Sequence, residues 1–296
     1  MVWECHGGLR CECMYLDVEK TDDFFKPRWS AFVLDTAPKS MYETWHMVVQ
    51  SVSTLAITKQ SDQLPALSGI VQNMQRKGAG MYLAGLWQNN LPTNLLWCAS
   101  GTRPKEWRAL SWSWTSITGD QVKFPAKDSY YSRKYTVDIN SSSCTPAGAD
   151  PTGEVSDGSI VLAGLVTECQ AGRGSVMGIA IKWRQRILFK NDLCCRMICD
   201  SREAKDAEDI PLGCKVYTLL MRRSDEDYNY TFNEPTEFYA LVLRESRGFG
   251  GRKGVPGAFE RIGITEFGRY WDGSGLARVS WKKWFQDAET KSLTIV

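Results

Sequence analysis

The chain has 296 residues, enough for a sizeable core and for two packed sub-domains, and its 43% hydrophobic and 24% charged content is ordinary for a globular protein. A formal net charge of +2 is too balanced to argue for nucleic acid or an acidic membrane surface. No apolar run approaches the ~20 residues of a membrane helix, and MVWECHGGLRCEC lacks the basic-then-apolar pattern of a signal peptide. Ten cysteines without a secretory signal then point to reduced thiols in a cytoplasmic protein, and the sequons at Asn140 and Asn229 read as chance matches.

The first sixteen residues hold Cys5, His6, Cys11 and Cys13. Zinc ligands come as two pairs, each with about two to four residues between the ligands. Cys11-Glu12-Cys13 is tighter than that and no second pair follows, so no metal is expected. Residues 17–38 read as an irregular connector. Tyr42, Trp45, Val48, Val49 and Val52 then repeat at helical spacing. His46 lies on this helix, with no nucleophile paired to it by any motif, and reads as a polar-edge residue.

The stretch 61–119 is the densest in large apolar residues. Asp62 reads as an N-cap, Pro65 falls in a first turn, and Leu64, Leu67, Ile70, Val71 and Met74 form one buried helical face that Lys77-Gly78 ends. Tyr82, Leu83, Leu86 and Trp87 suggest a short helical turn, with Gly85 allowing a neighbour close. Pro92 opens a further turn carrying Leu95, Leu96 and Trp97. From Leu110 the period changes to two, which predicts a strand with Trp112 and Trp114 on one face, closed at Thr118-Gly119-Asp120.

Beyond Gly119 the chain is β-like. Segments 135–140, 160–166, 176–183, 186–189, 216–222, 238–243 and 259–265 read as strands separated by turn residues. The acidic, tyrosine-rich SDEDYNYTFNEPTE reads as a solvated loop. Cys194, Cys195, Cys199 and Cys214 read as buried packing residues. The run GFGGRKGVPG at 248–257 lacks the spacing of either common phosphate loop and leads into the strand FERIGIT, so it reads as a hairpin loop. Leu276, Val279, Lys283 and Phe285 outline a short helix, and 293–296 a last strand.

SDQLPALSGI, YLAGLW, LLW and RPKEWRALSWSWTSITG, in this order, resemble the segment that follows the HET domain in fungal heterokaryon incompatibility proteins. WECHGGLRCEC at the start, FERIGI at 259–264 and the closing SLTIV agree, whereas about 130–214 carries no matching motif. The family usually has proline before SWSW, where this chain has Leu110. The HET domain itself would precede WEC, so the resemblance implies a truncated member, a fragment or a misplaced start codon.

These readings give an α+β fold: a helical part, 1–108, packed on a mostly antiparallel β-sandwich or open barrel, 109–296. Leu67, Ile70, Trp87, Trp112 and Trp114 are the expected core between the two parts. No paired-carboxylate, triad, metal or phosphate signature is present, so no enzyme, catalytic residue or cofactor is expected. The resemblance implies an accessory or regulatory region in non-self recognition, where fusion of unlike fungal cells triggers death, with protein partners rather than nucleic acid or membrane. The alternative is a small-ligand or carbohydrate binder using tryptophans of the β part. Tryptophans lining one groove would favour the ligand reading, and buried ones the interaction module.

Overall fold

A computed structural model describes residues 2–5, 8–11, 17–19, 41–55, 57–99, 101–125, 133–173, 185–188, 194–199, 210–211, 213–224, 238–248, 251–266, 269–271, 276–278 and 281–296. Strands β1 (Val2–Cys5), β2 (Gly8–Cys11) and β3 (Asp17–Glu19) form a small antiparallel meander. The predicted strand at 176–183 and the loop at 224–237 lie outside the described residues, apart from Ser224.

The amphipathic spacing after Pro38 produces α1 (Met41–Val52), which buries Trp45, Val48 and Val49 completely. Two single 3-10 turns, 60–63 and 65–67, lead into α2 (Ser68–Arg76). Asp62 sits inside the first of these turns and caps neither it nor the helix, contrary to the sequence reading. The helix stops where expected, at Gly78 with φ +88°.

The next six residues differ from expectation. Tyr82–Leu83 (β4) and Leu86–Trp87 (β5) pair as a two-residue hairpin instead of a helical turn. Ala84 at φ +44° and Gly85 at φ +94° place both turn positions in the left-handed region that tight hairpins need. After α3 (Leu91–Asn94), the expected Trp112–Trp114 strand is also absent. Ser113 caps a 3-10 turn, Trp114–Ser116, its hydroxyl accepting from the Thr115 amide, and isolated bridges Cys98–Lys123 and Thr102–Thr118 brace the segment.

The short turn places both indoles inward, that of Trp114 against the hairpin tip. Gly85 O accepts from Trp114 Nε1 (2.9 Å) and from Trp45 Nε1 (3.0 Å), while Ser113 Oγ donates to Ala84 O (2.6 Å). Trp97 Nε1 donates to Trp112 O at 2.9 Å. The indole N–H groups of Trp45, Trp97 and Trp114 thus gain backbone acceptors in the core, which removes the penalty of burying them bare, whereas Trp87 Nε1 and Trp112 Nε1 are buried without a hydrogen-bond partner.

The β part is one sheet of mostly antiparallel pairing: β6 (Arg133–Tyr135), β7 (Asp138–Pro146), β8 (Val155–Arg173), β9 (Gln185–Leu188), β10 (Cys194–Cys199), β11 (Lys215–Ser224), β12 (Phe238–Glu245) and β13 (Phe259–Glu266), with β16 below. A separate small ladder joins β14 (Arg269–Trp271) to β15 (Leu276–Arg278). The predicted helix over 276–285 shortens to α4 (Trp281–Trp284), and β16 (Glu289–Ile295) closes the chain.

β8 organises the sheet. It pairs with β7, β16, β11 and β9 along its nineteen residues, more than twice the expected strand, because it serves two cores. Its even-numbered Ile160, Leu162 and Val166 face the core shared with the helices, and its odd-numbered Cys169 and Ala171 face a second core. The sheet curls, β8 also pairing with β11 and β10 with β13 beyond the linear strand order. At the seam, β13 and β16 pair in parallel only through Phe259 and Ile295.

The first core is continuous across the helical and β parts. Leu67, Trp87, Trp112 and Trp114 are buried in it, and Ile70 is half-buried against it. Trp45, Tyr82 and Trp87 meet edge to face with ring centroids 5.3–5.8 Å apart. On the other face of the sheet, Phe238 packs on Trp284 of α4 and on Phe285 just after it, and Trp284 Nε1 reaches Thr218 Oγ1 at 3.4 Å.

Arg261 ties the two parts. Its guanidinium is fully buried over the Trp97 ring (3.6 Å to the centroid) and donates to Leu95 O (2.7 Å) and Trp97 O, at the C-terminal end of α3. Carbonyls at a helix end are natural partners for a cation. Ser111 Oγ accepts from the Arg261 amide at 3.0 Å and donates to Val296 O, so 95–97, 111, 261 and 296 converge.

Candidate ligand cleft at the junction of the helices and the sheet

Beside this junction the segment 103–111 forms one wall of a cleft. Arg103 Nη2 donates to Arg261 O (2.8 Å), and Arg108 Nε donates to Thr115 O (2.7 Å). Burial pushes the Arg108 pKa down to about 10, which leaves it a cation at neutral pH. With both arginines fastened inward, Pro104-Lys105-Glu106-Trp107 is held as the rim. Trp107 is half-buried, and the Arg252 guanidinium carbon lies 3.2 Å from its ring centroid.

The opposite wall is the glycine-rich connection between β12 and β13, and a buried carboxylate sets its shape. Glu260 Oε2 pairs with Arg244 at 3.1 Å, both side chains being 7% exposed. Its Oε1 accepts from Ser246 Oγ (3.0 Å), Arg247 N (3.1 Å) and Gly248 N (2.8 Å). Gly248 has φ +79°, and a Cβ there would lie 2.2 Å from Arg252 O, so only glycine allows the fold-back that brings Arg252 over Trp107. The sequence reading of this run as a hairpin loop thus falls on a segment that presents two cations, Arg252 and Lys253, to the cleft.

Two connected spaces result. An inner cavity of about 80 Å³ is lined by Arg103, Arg108, Ser111, Asp157, Arg252 and Lys253 among others. An outer cleft of about 590 Å³ adds Lys105, Glu106, Glu154 and Ser156, and Trp107, Arg108 and Arg252 line both. The outer volume falls within the roughly 300–1,000 Å³ common for small-molecule sites. None of these lining residues is a histidine or cysteine. Ser116 Oγ is committed to Ser113 O at 2.7 Å.

The residues singled out from sequence lie elsewhere. His46 is half-buried on α1: its ring stacks on Phe124 (3.9 Å between centroids, 9° between planes) and its Nε2 meets Asn94 Oδ1 at 2.8 Å. Burial lowers its pKa, against opposing effects of Asn94 and Glu43. The side chains of Cys5, Cys11, Cys13, Cys194, Cys195 and Cys199, and His6 as a whole, lie outside the described residues. Among the described residues no cluster of His, Cys, Asp or Glu could hold a metal ion. Burial pushes Cys144 up to about 11 and Cys169 up to about 12, so both are neutral thiols, consistent with packing.

Trp107, Arg108, Arg252 and Lys253 were not separated from the sequence by pattern. The only available signals were the charges inside RPKEWR and inside the glycine run. No known protein family, curated protein or solved structure matches this chain.

Proposed function

We propose that the chain is a non-enzymatic accessory or regulatory region of a heterokaryon-incompatibility type of protein, acting in the cytoplasm through protein contacts in non-self recognition. The observation that supports this reading over a tryptophan-based binding groove is burial. Trp45, Trp87, Trp97, Trp112, Trp114 and Trp284 are at most 1% exposed, and of the tryptophans with described side chains only Trp107 and Trp281 reach the surface region. The stretches that carry the resemblance, YLAGLW, LLW, RPKEWRALSWSW, FERIGI and SLTIV, meet at one junction through Gly85, Trp97, Ser111, Arg261 and Val296. Such a junction gives a stable scaffold for presenting loops to a partner. Among the described residues no helix is long and apolar enough to cross a membrane.

Expression in a fungal host tests the reading. The chain alone is expected to leave growth unchanged, because the part of the family credited with killing is the HET domain. Co-expressed with a HET-domain protein, it is expected to change the extent of growth arrest. Arrest caused by the chain alone, with a heat-unfolded variant harmless at equal level, would overturn the proposal, as would no effect on a co-expressed HET protein.

A further inference from the structure

We propose that the cleft at Trp107 is an oxyanion-binding site: the inner cavity takes the phosphate or carboxylate head of a small ligand, and the outer cleft takes its body. This inference rests on the cleft alone and is independent of the reading above. Four cations, Arg103, Arg108, Arg252 and Lys253, line the inner cavity against two carboxylates, Asp157 and Glu260. Glu260 already accepts bonds on both oxygens from Arg244, Ser246 and two backbone amides. Asp157 is then the one remaining acid lining the inner cavity, against Arg252, Lys253 and the two arginines that donate to Arg261 O and Thr115 O, and its Oδ1 accepts from the Gly158 amide at 2.8 Å. Neither Arg252 nor Lys253 has a carboxylate partner among the described residues. A planar guanidinium matched to an oxyanion is among the stronger charge-assisted contacts available to a protein.

Arg252 is the moving part of the proposal. It lines both spaces and lies on the Trp107 ring. A turn of its side chain toward an oxyanion in the inner cavity would expose that ring face to the body of the ligand. A cation resting on a half-exposed ring is held weakly compared with a charge-assisted bond to an oxyanion, so exchanging the one contact for the other is downhill. The outer cleft sets the body. With Arg108 fastened to Thr115 O and Arg252 turned to the head, Lys105 remains in the outer cleft against Glu106 and Glu154, which disfavours a second anionic group and suits a neutral or cationic body. The ligand class is thus a single anionic head on a neutral or ammonium-bearing small molecule.

The test titrates the full 296-residue protein with four probes at constant ionic strength: inorganic phosphate, phosphoethanolamine, 4-aminobutyrate and citrate. Calorimetry gives affinity, and the indole ¹⁵N signal of Trp107, assigned with Trp107→Phe, reports on the ring. Saturable one-to-one binding of a phosphate probe or of 4-aminobutyrate, with the Trp107 signal shifted, is expected, and whichever binds names the head. Citrate, a polyanion, is expected to bind more weakly than the better of these. Arg252→Gln with Lys253→Gln is expected to lose at least tenfold in affinity, and Arg252→Lys to retain part of it. Lys253→Gln alone serves if the double variant melts early. No saturable binding up to about 10 mM of any probe overturns the proposal, being weaker than any useful small-molecule site. Binding that survives the double variant, leaves Trp107 unshifted, or ranks citrate tightest overturns it equally.

Discussion

Gly85→Ala is the most decisive single substitution for the fold, because three independent costs meet at one Cβ. The residue sits at φ +94°, where an L side chain is strained; left-handed backbone costs a non-glycine residue about 1–2 kcal/mol. An ideal Cβ would lie 2.5 Å from Trp114 Nε1, inside any van der Waals contact, and forcing such an atom into a packed core costs about 1–3 kcal/mol. Relief of the clash moves Trp114 off Gly85 O, an acceptor it shares with Trp45, and each indole bond is worth about 0.5–1.5 kcal/mol. The sum is about 3–6 kcal/mol, a large share of a total stability of roughly 5–15 kcal/mol. Urea unfolding followed by tryptophan fluorescence measures it, with the slope unchanged so that the midpoint carries the difference. The neighbouring substitution has the opposite sign. Ala84→Gly relieves a φ of +44° and keeps the carbonyl that accepts from Ser113, so it should leave stability unchanged or raise it by up to about 1 kcal/mol. A Gly85→Ala protein within about 1 kcal/mol of the parent would refute the reasoning, since none of the three costs could then be present.

Two further outcomes are expected. Because burial holds the His46 pKa below its ordinary value of 6.5, the folded state keeps it neutral while the unfolded chain takes up a proton. Its contribution is then complete above about pH 6.5 and is lost as pH falls from there toward the folded value. The stability gap between the parent and His46→Gln, measured by urea midpoints, should therefore shrink toward low pH, and a gap that stays constant or widens would contradict the assignment. Glu260→Gln removes one side of the buried pair with Arg244 and loosens the anchor of 246–248. It should cost about 3–5 kcal/mol, whereas Glu260→Gln combined with Arg244→Met, which keeps an acceptor oxygen for 246–248 and removes the stranded cation, should cost clearly less; equal losses in the two would show that the pair is not the source.

How far the residues disclosed this molecule depended on how local the deciding force was. The helices α1 and α2 were legible because five or so apolar residues at three- and four-residue steps have one geometric solution. Tyr82 to Trp87 was not: four apolar residues in six fit a helical turn or a hairpin equally, and the indoles of Trp45 and Trp114, reaching Gly85 from afar, decide it. SWSW failed for the same reason, since two alternations are too few to separate a strand from a 3-10 turn with a capped serine. Most strands of the sheet were found by composition, but not β10, where only packing cysteines were expected, nor the length of β8, which is set by having a second core to serve. The cleft lies at the far end of this scale. Arg252 comes over Trp107 only because Glu260, across a hairpin, gathers two amides and a hydroxyl and folds the glycine run back on itself. That placement is a property of one buried carboxylate and its four donors, so no pattern within RPKEWR or GFGGRKG could announce it. The same logic says where substitutions at the cleft will act. Changes at Arg252 and Lys253 touch charge and leave the frame, whereas changes at Glu260 move the frame and carry both cations with it.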